Sequence, residues 1–246
     1  MGVCLEGGIL EMNIDYIRQE EARYHNEFYK ENKLFEKGSW LYKPVPNVLH
    51  YLNAVSKQQN MRILDLGCGV GRHSIPLAEK VRQTNGVVDC VDYLETAVEK
   101  LSEYGTQFNV QANLCPVLSL IEEFSIEEQA YDYIVAISSL EHVRSVDHFI
   151  DVLQKMIRGT RAGGIHYLVI NSGVEEIDMK TDNKLDPLFE VNLPTEKMMS
   201  LLQEVYRSWS ELEVVVKPLE YTIHRGEKVV QLKTNAITFV VQKRFD

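Results

Sequence analysis

The sequence predicts an α/β protein: one mostly parallel, seven-stranded sheet with helices on both faces and a helical cap at the N-terminus. Three observations predict it. Short apolar runs alternate with amphipathic stretches from residue 62 to residue 170, the pattern of repeated βα units. A glycine turn, Gly67-Cys68-Gly69-Val70-Gly71, stands directly between the first apolar run and the first helical stretch. The chain has 246 residues, 45% of them hydrophobic and 25% charged, which suits one α/β domain with added helices.

The elements follow in order. Residues before Met12, with Gly2, Gly7 and Gly8, read as loosely structured, and Met12 is an alternative start. From Asn13 to about Lys37 the chain is charged with spaced aromatics; Tyr24 and Phe28 are four apart, so one or two helices are expected. Gly38 to Pro44 reads as a loop carrying Trp40 and Tyr42, and Pro46 stands near the start of a helix through about Ser56. Residues 1–57 therefore read as a cap or lid and residues 58–246 as the main domain. Within it the expected strands are Arg62–Leu66, Gly86–Asp92, Phe108–Ala112, Tyr131–Ile137 and Ile165–Ile170. The expected helices are Arg72–Arg82, Leu94–Tyr104, a short one over Pro116–Glu123, and Val146–Arg158. Val174–Pro194 is polar and reads as a long loop, followed by a helix over Thr195–Trp209. Leu212–Lys217 and Ala236–Gln242 are the closing strands, partly antiparallel, with Arg225-Gly226-Glu227 as a turn signal between them.

Composition excludes some classes of function. Lys and Arg number 26 against 36 Asp and Glu, a net charge of −10, which disfavours a nucleic-acid partner. Cys4, Cys68, Cys90 and Cys115 show no metal-ligand spacing, so no metal is expected, and Cys68 and Cys90 read as small buried thiols. With no signal-peptide pattern and no membrane-length apolar run, a cytoplasmic monomer or homodimer without a membrane partner is expected.

The glycine spacing selects a cofactor. A dinucleotide turn of the form Gly-x-Gly-x-x-Gly would place a glycine at position 72, where Arg72 stands; the third glycine is Gly71. This argues against a nicotinamide-dependent oxidoreductase, which stays as one alternative beside a non-catalytic cofactor-binding protein of the same fold. Asp92, about twenty residues after Gly71, ends the second apolar run, where a carboxylate accepts both hydroxyls of a ribose. Tyr93 is placed to pack against a base.

The pattern Asp65-x-Gly67-x-Gly69-x-Gly71 resembles motif I of the class I S-adenosylmethionine-dependent methyltransferases. The resemblance implies a Rossmann-like fold, S-adenosylmethionine as cofactor and S-adenosylhomocysteine as product. It further implies that Asp65 orients the amino-acid end of the cofactor. The backbone of Gly67, Cys68, Gly69 and Gly71 would approach it closely, Asn113 and Leu114 would lie near the adenine, and Ser138 would line the methyl-transfer region. His142 falls where such enzymes often carry a histidine; its other reading is a packed, hydrogen-bonded side chain. A narrower similarity reaches the tellurite-resistance TehB-type group. Gly69-Val70-Gly71-Arg72-His73-Ser74 is similar to that group's Gly-Asn-Gly-Arg-Asn-Ser turn, and Tyr206-x-x-Trp209 followed by His224-Arg225 resembles its C-terminal order. That similarity implies a small soft nucleophile as methyl acceptor with His224 and Arg225 near it. Arginine suits an oxyanion and histidine can take a proton; the alternative is an exposed turn. Trp40 and Tyr42 are the expected lid over the sulfonium, and the expected chemistry is direct in-line methyl transfer.

Overall fold

The computed structural model describes residues 5–55 and 59–245; Met1, Cys4, Ser56 and the boundary at 57/58 lie outside the described residues. The chain starts with α1 (Leu5–Glu31), a short 3-10 turn at Trp40–Tyr42 and α2 (Pro46–Val55). The core follows as β1 (Arg62–Leu66), α3 (Ser74–Val81), β2 (Val87–Asp92), α4 (Glu95–Gln107), β3 (Leu114–Leu118), β4 (Tyr131–Ile137), α5 (Val146–Gly159) and β5 (Thr160–Asp178). It closes with β6 (Asn183–Leu185), α6 (Thr195–Val205), β7 (Ser210–Arg225) and β8 (Lys228–Gln242). Strand order is β3-β2-β1-β4-β5-β8-β7, with β6 paired to β5. β1 to β5 pair in parallel along that path, whereas β8 and β7 run antiparallel.

The central strands of the sheet are buried on both faces, and the strand alternation shows why. Ile63, Tyr133, Ile165 and Tyr167 point to one side, into a core with Val48, Leu52, Ile75 and Leu101 of α2, α3 and α4. Their neighbours Leu64, Ile134, Leu168 and Ile170 point to the other, against Phe149, Leu153, Met198 and Leu202 of α5 and α6. Ser145 starts α5 by accepting the His148 N–H with its side chain. A parallel sheet with helices on both faces gathers loops at the carboxyl ends of its strands, where ligand sites form.

Four expected elements are corrected. α1 begins at Leu5, ahead of Met12, and ends at Glu31 rather than near Lys37. The third strand is Leu114–Leu118, not Phe108–Ala112: α4 runs to Gln107, Phe108 packs on Phe35, and Asn109 takes a left-handed conformation that ends the helix first. Pro116 lies in that strand instead of a helix, because β3 is the sheet edge and tolerates a residue without an N–H. The expected loop over 174–194 is partly strand. β5 continues to Asp178 past a register shift between Ser172 and Glu175, and β6 folds back on it, so the sheet has eight strands, not seven. The turn at Gly226 is where the sequence places it, but β7 and β8 extend well beyond the expected closing strands.

Candidate functional site

The glycine turn leaves β1 and is tied to β2 by backbone. Gly67 and Cys68 N–H groups both donate to the Val91 carbonyl, at 2.8 and 3.0 Å. Asp92, at the end of β2, then accepts the Gly69 N–H with Oδ2 at 2.8 Å and the Leu94 N–H with Oδ1 at 3.0 Å. Gly67 has φ +74°, and a Cβ there would stand 2.3 Å from the Ser139 Cβ. A Cβ on Gly69 would stand 2.9 Å from the Tyr29 hydroxyl oxygen. The bare backbone therefore faces neighbours that leave no room for a side chain. Burial raises the Asp92 carboxyl pKa, while the Leu94 and Gly69 N–H groups hold it down. Each carboxylate oxygen accepts from a backbone N–H of the turn region, and the acceptor capacity left over is what a ribose diol requires.

Above this turn lies a cavity of about 470 Å³, within the range of about 300–1,000 Å³ usual for small-molecule sites. Helix α1 roofs it with Glu21, Tyr24, His25 and Tyr29. Ion pairs hold that roof to the core: Arg18 reaches Glu122 after β3 and, at 3.5 Å, Glu190 before α6. His142 sits between two carboxylates, Glu190 at 3.0 Å from Nδ1 and Glu21 at 3.9 Å from Nε2. Burial lowers the His142 pKa, but Glu21, Glu190 and Glu141 outweigh it and push it up to about 10. Glu21 answers: burial raises its pKa, and His142 and His25 bring it down to about 2. The imidazole thus bridges the segment before α6 to the roof helix α1.

The structure brings together Gly67, Cys68, Gly69, Asp92, Tyr93, Ser138, His142, Trp40, His224 and Arg225, all lining this cavity. Others of the expected site residues lie elsewhere. Asn113 and Leu114 are at the amino end of β3, opposite the crevice, and the Asn113 side chain donates to the Gly86 carbonyl at 2.8 Å. Leu120 and Ile121, past the carboxyl end of β3, line the cavity instead. The displaced strand accounts for this error. Gly71 packs under Leu101 and Ile75, away from the cavity. Asp65 is buried beneath the turn and accepts the Ser74 hydroxyl at 2.6 Å, at the start of α3. Arg225 lines the cavity but is already engaged by Glu176, a buried carboxylate, at 2.8 and 3.3 Å. His224 is exposed at the cavity mouth.

Trp40 and Tyr42 divide. Trp40 stacks on Phe28 at 5.1 Å, with the Arg72 guanidinium 5.7 Å from its ring centroid. Tyr42 is exposed and lies outside the lining. Trp40→Ala is expected to lower stability by about 1–2 kcal/mol through the lost stacking and cation–π contacts. Tyr42→Ala should stay within about 0.5 kcal/mol of wild type. Urea unfolding of both variants checks the contrast.

Several cavity residues escaped the sequence reading. Arg18 and Glu21 lie on a helix whose amphipathic pattern gives only a buried face, and Phe189 and Glu190 lie in a segment with no motif at all. His73, within the motif turn, accepts the Val45 N–H through Nε2 at 3.3 Å and so anchors the loop bearing Trp40. Burial lowers its pKa to about 3, leaving it neutral.

Asp65 makes a pH prediction. Burial lifts its pKa to about 7, with Ser74 opposing and Asp92 assisting. An acid with a raised folded pKa holds its proton longer in the folded state, so its stabilisation is full below about pH 4 and is lost as pH rises through about 7. Asp65→Asn should therefore gain on wild type by up to about 1.4 kcal/mol per pH unit across that window. Thermal melts from pH 4 to pH 8 check it; parallel curves would remove the buried acid from the account.

Residues 63–164 match the family model described as a methyltransferase domain. The match runs from β1 into β5, includes the glycine turn and Asp92, and covers less than half of the chain. It is 36% identical over 109 residues to the ubiquinone biosynthesis O-methyltransferase of Rickettsia akari, covering 44% of this chain and 39% of that one. It is 26% identical over 148 residues to the tRNA N(3)-methylcytidine methyltransferase of Schizosaccharomyces pombe, covering 58% and 47%. The chain thus spans less than half the length of either relative. Its fold is similar to that of TehB from Haemophilus influenzae, with TM-score 0.57, 22% identity, and coverage of 82% of this chain and 63% of that one. No helix among the described residues is long and apolar enough to cross a membrane.

Proposed function

We propose that this protein transfers the methyl group of S-adenosylmethionine to a small-molecule nucleophile by direct in-line displacement. The observation that carries the reading is Asp92, at the carboxyl end of β2, bonded to the glycine turn on the floor of a roofed cavity. Asp92 would hold the ribose hydroxyls, Tyr93 the base, and the Gly67–Gly69 backbone the amino-acid portion. When bound, S-adenosylmethionine supplies a methyl carbon that is already electrophilic. The chain's own work is to position: α1 and Trp40 exclude water above the turn, and Ser138 lines the cavity past the end of β4. His142, set between Glu21 and Glu190, keeps the roof in place.

A small acceptor is supported by the roof, which closes over the turn, and by the net charge of −10, which disfavours RNA. The test uses methyl-labelled S-adenosylmethionine with two acceptor pools, a small-molecule cell extract and total tRNA. Label in the small-molecule fraction supports the reading. Label in tRNA alone would reassign the acceptor, and absence of cofactor binding would overturn the reading altogether.

A further inference from the structure

Three arginines line the cavity, and two are committed. Arg18 pairs with Glu122 and Glu190, and Arg225 makes a two-pronged pair with Glu176. Arg72 has no carboxylate within 4 Å among the described residues. Its Nε–H donates to the Lys43 carbonyl at 2.7 Å, and its guanidinium lies 5.7 Å from the Trp40 ring centroid. The remaining N–H donors of the fork have no protein acceptor there, on a half-buried side chain that lines the cavity. A partly desolvated guanidinium with free donors is incomplete, and its planar fork matches a carboxylate by two parallel hydrogen bonds. Trp40 below it and Tyr221 of β7, which also lines the cavity, add aromatic surface around the same point.

We propose that Arg72 is a carboxylate-recognition subsite of the cavity. The inference rests on the cofactor reading above. Two ligands bring the required chemistry: the amino-acid end of the cofactor, and an acceptor with a flat aromatic body and one carboxylate. The subsite is distinct from Arg225, whose charge Glu176 already neutralises. Where the acceptor occupies it, the single uncommitted guanidinium balances one anionic group and not the several phosphates of a nucleotide.

The experiment is calorimetry on wild type, Arg72→Gln and Arg72→Lys, with thermal melts to confirm folding. The first arm compares S-adenosylhomocysteine with 5′-methylthioadenosine, which keeps the nucleoside and lacks the amino-acid end. If the cofactor carboxylate occupies the subsite, Arg72→Gln weakens S-adenosylhomocysteine about 10- to 100-fold and leaves methylthioadenosine unchanged. The second arm titrates benzoate and benzamide into protein saturated with S-adenosylhomocysteine. If the acceptor supplies the carboxylate, wild type prefers benzoate and Arg72→Gln loses that preference. Arg72→Lys keeps the charge without the fork and should fall between the two in whichever arm responds. An Arg72→Gln protein with unchanged S-adenosylhomocysteine affinity and unchanged benzoate preference overturns the subsite. A wild type that binds neither nucleoside overturns the cofactor reading itself, and the subsite with it.

Discussion

Asp92→Ala is expected to weaken S-adenosylhomocysteine binding by about 100-fold or more. Two carboxylate hydrogen bonds to ribose hydroxyls contribute roughly 1.5–3 kcal/mol each, and about 1.4 kcal/mol is a tenfold change in affinity. A second loss adds to the first. Asp92 also accepts the Gly69 and Leu94 N–H groups, so alanine leaves two donors at the turn without their acceptor. Each such donor costs about 1–3 kcal/mol where water cannot replace the partner. Thermal stability should therefore fall together with affinity. Asp92→Asn separates the two effects: its amide oxygen can keep one backbone contact but cannot serve both N–H groups and the diol. Its affinity should lie between alanine and wild type, with most of the stability retained. Calorimetric titration of the three proteins measures this. Equal affinities would place the ribose elsewhere and detach Asp92 from ligand binding.

Gly67→Ala is expected to destabilise the protein by about 2–5 kcal/mol. Part of that is conformational, because a left-handed backbone costs an alanine about 1–2 kcal/mol. The larger part is steric. The new methyl would meet the Ser139 Cβ at 2.3 Å, and Ser139 cannot withdraw: it is buried and its hydroxyl donates to the Leu66 carbonyl at 2.7 Å. Overpacking of this kind costs about 1–3 kcal/mol. For a chain of this size the sum lowers Tm by on the order of 5–15 °C. Gly226→Ala is the control. Gly226 also has a left-handed φ, +61°, but nothing lies within 4 Å of its absent Cβ, so only the conformational part applies. A melt in which both variants lose the same few degrees would show that β1 and the Ser139 segment yield to the methyl.

The βα alternation and the glycine turn were legible because both are local. Strand period, helix period and the Gly67-x-Gly69-x-Gly71 spacing each lie within a few residues, and Asp92 follows at a distance set by one helix and one strand. Asn113 shows how a local reading fails. Its own residue type suits a base contact, but α4 ran three residues further and carried the start of β3 past it. Tyr42 fails differently: it is as exposed as Trp40, with one residue between them, and only the neighbours that Trp40 meets, Phe28 and Arg72, set that ring at the cavity.

By itself the sequence determined the parallel sheet, the glycine turn at the end of β1 and the carboxylate at the end of β2 that meets it. The tertiary structure decided which charges are free to act. Arg18 meets Glu122 across 104 positions, His142 meets Glu190 across 48, and Arg225 meets Glu176 across 49. None of these pairings follows from spacing, because a side chain's partner is set by which loops the sheet brings together at its carboxyl edge. That is why His142 and Arg225, sequence candidates for chemistry, are already engaged by carboxylates, and why Arg72, read in the sequence only as part of the turn and given no ligand to bind, is left with donors to offer.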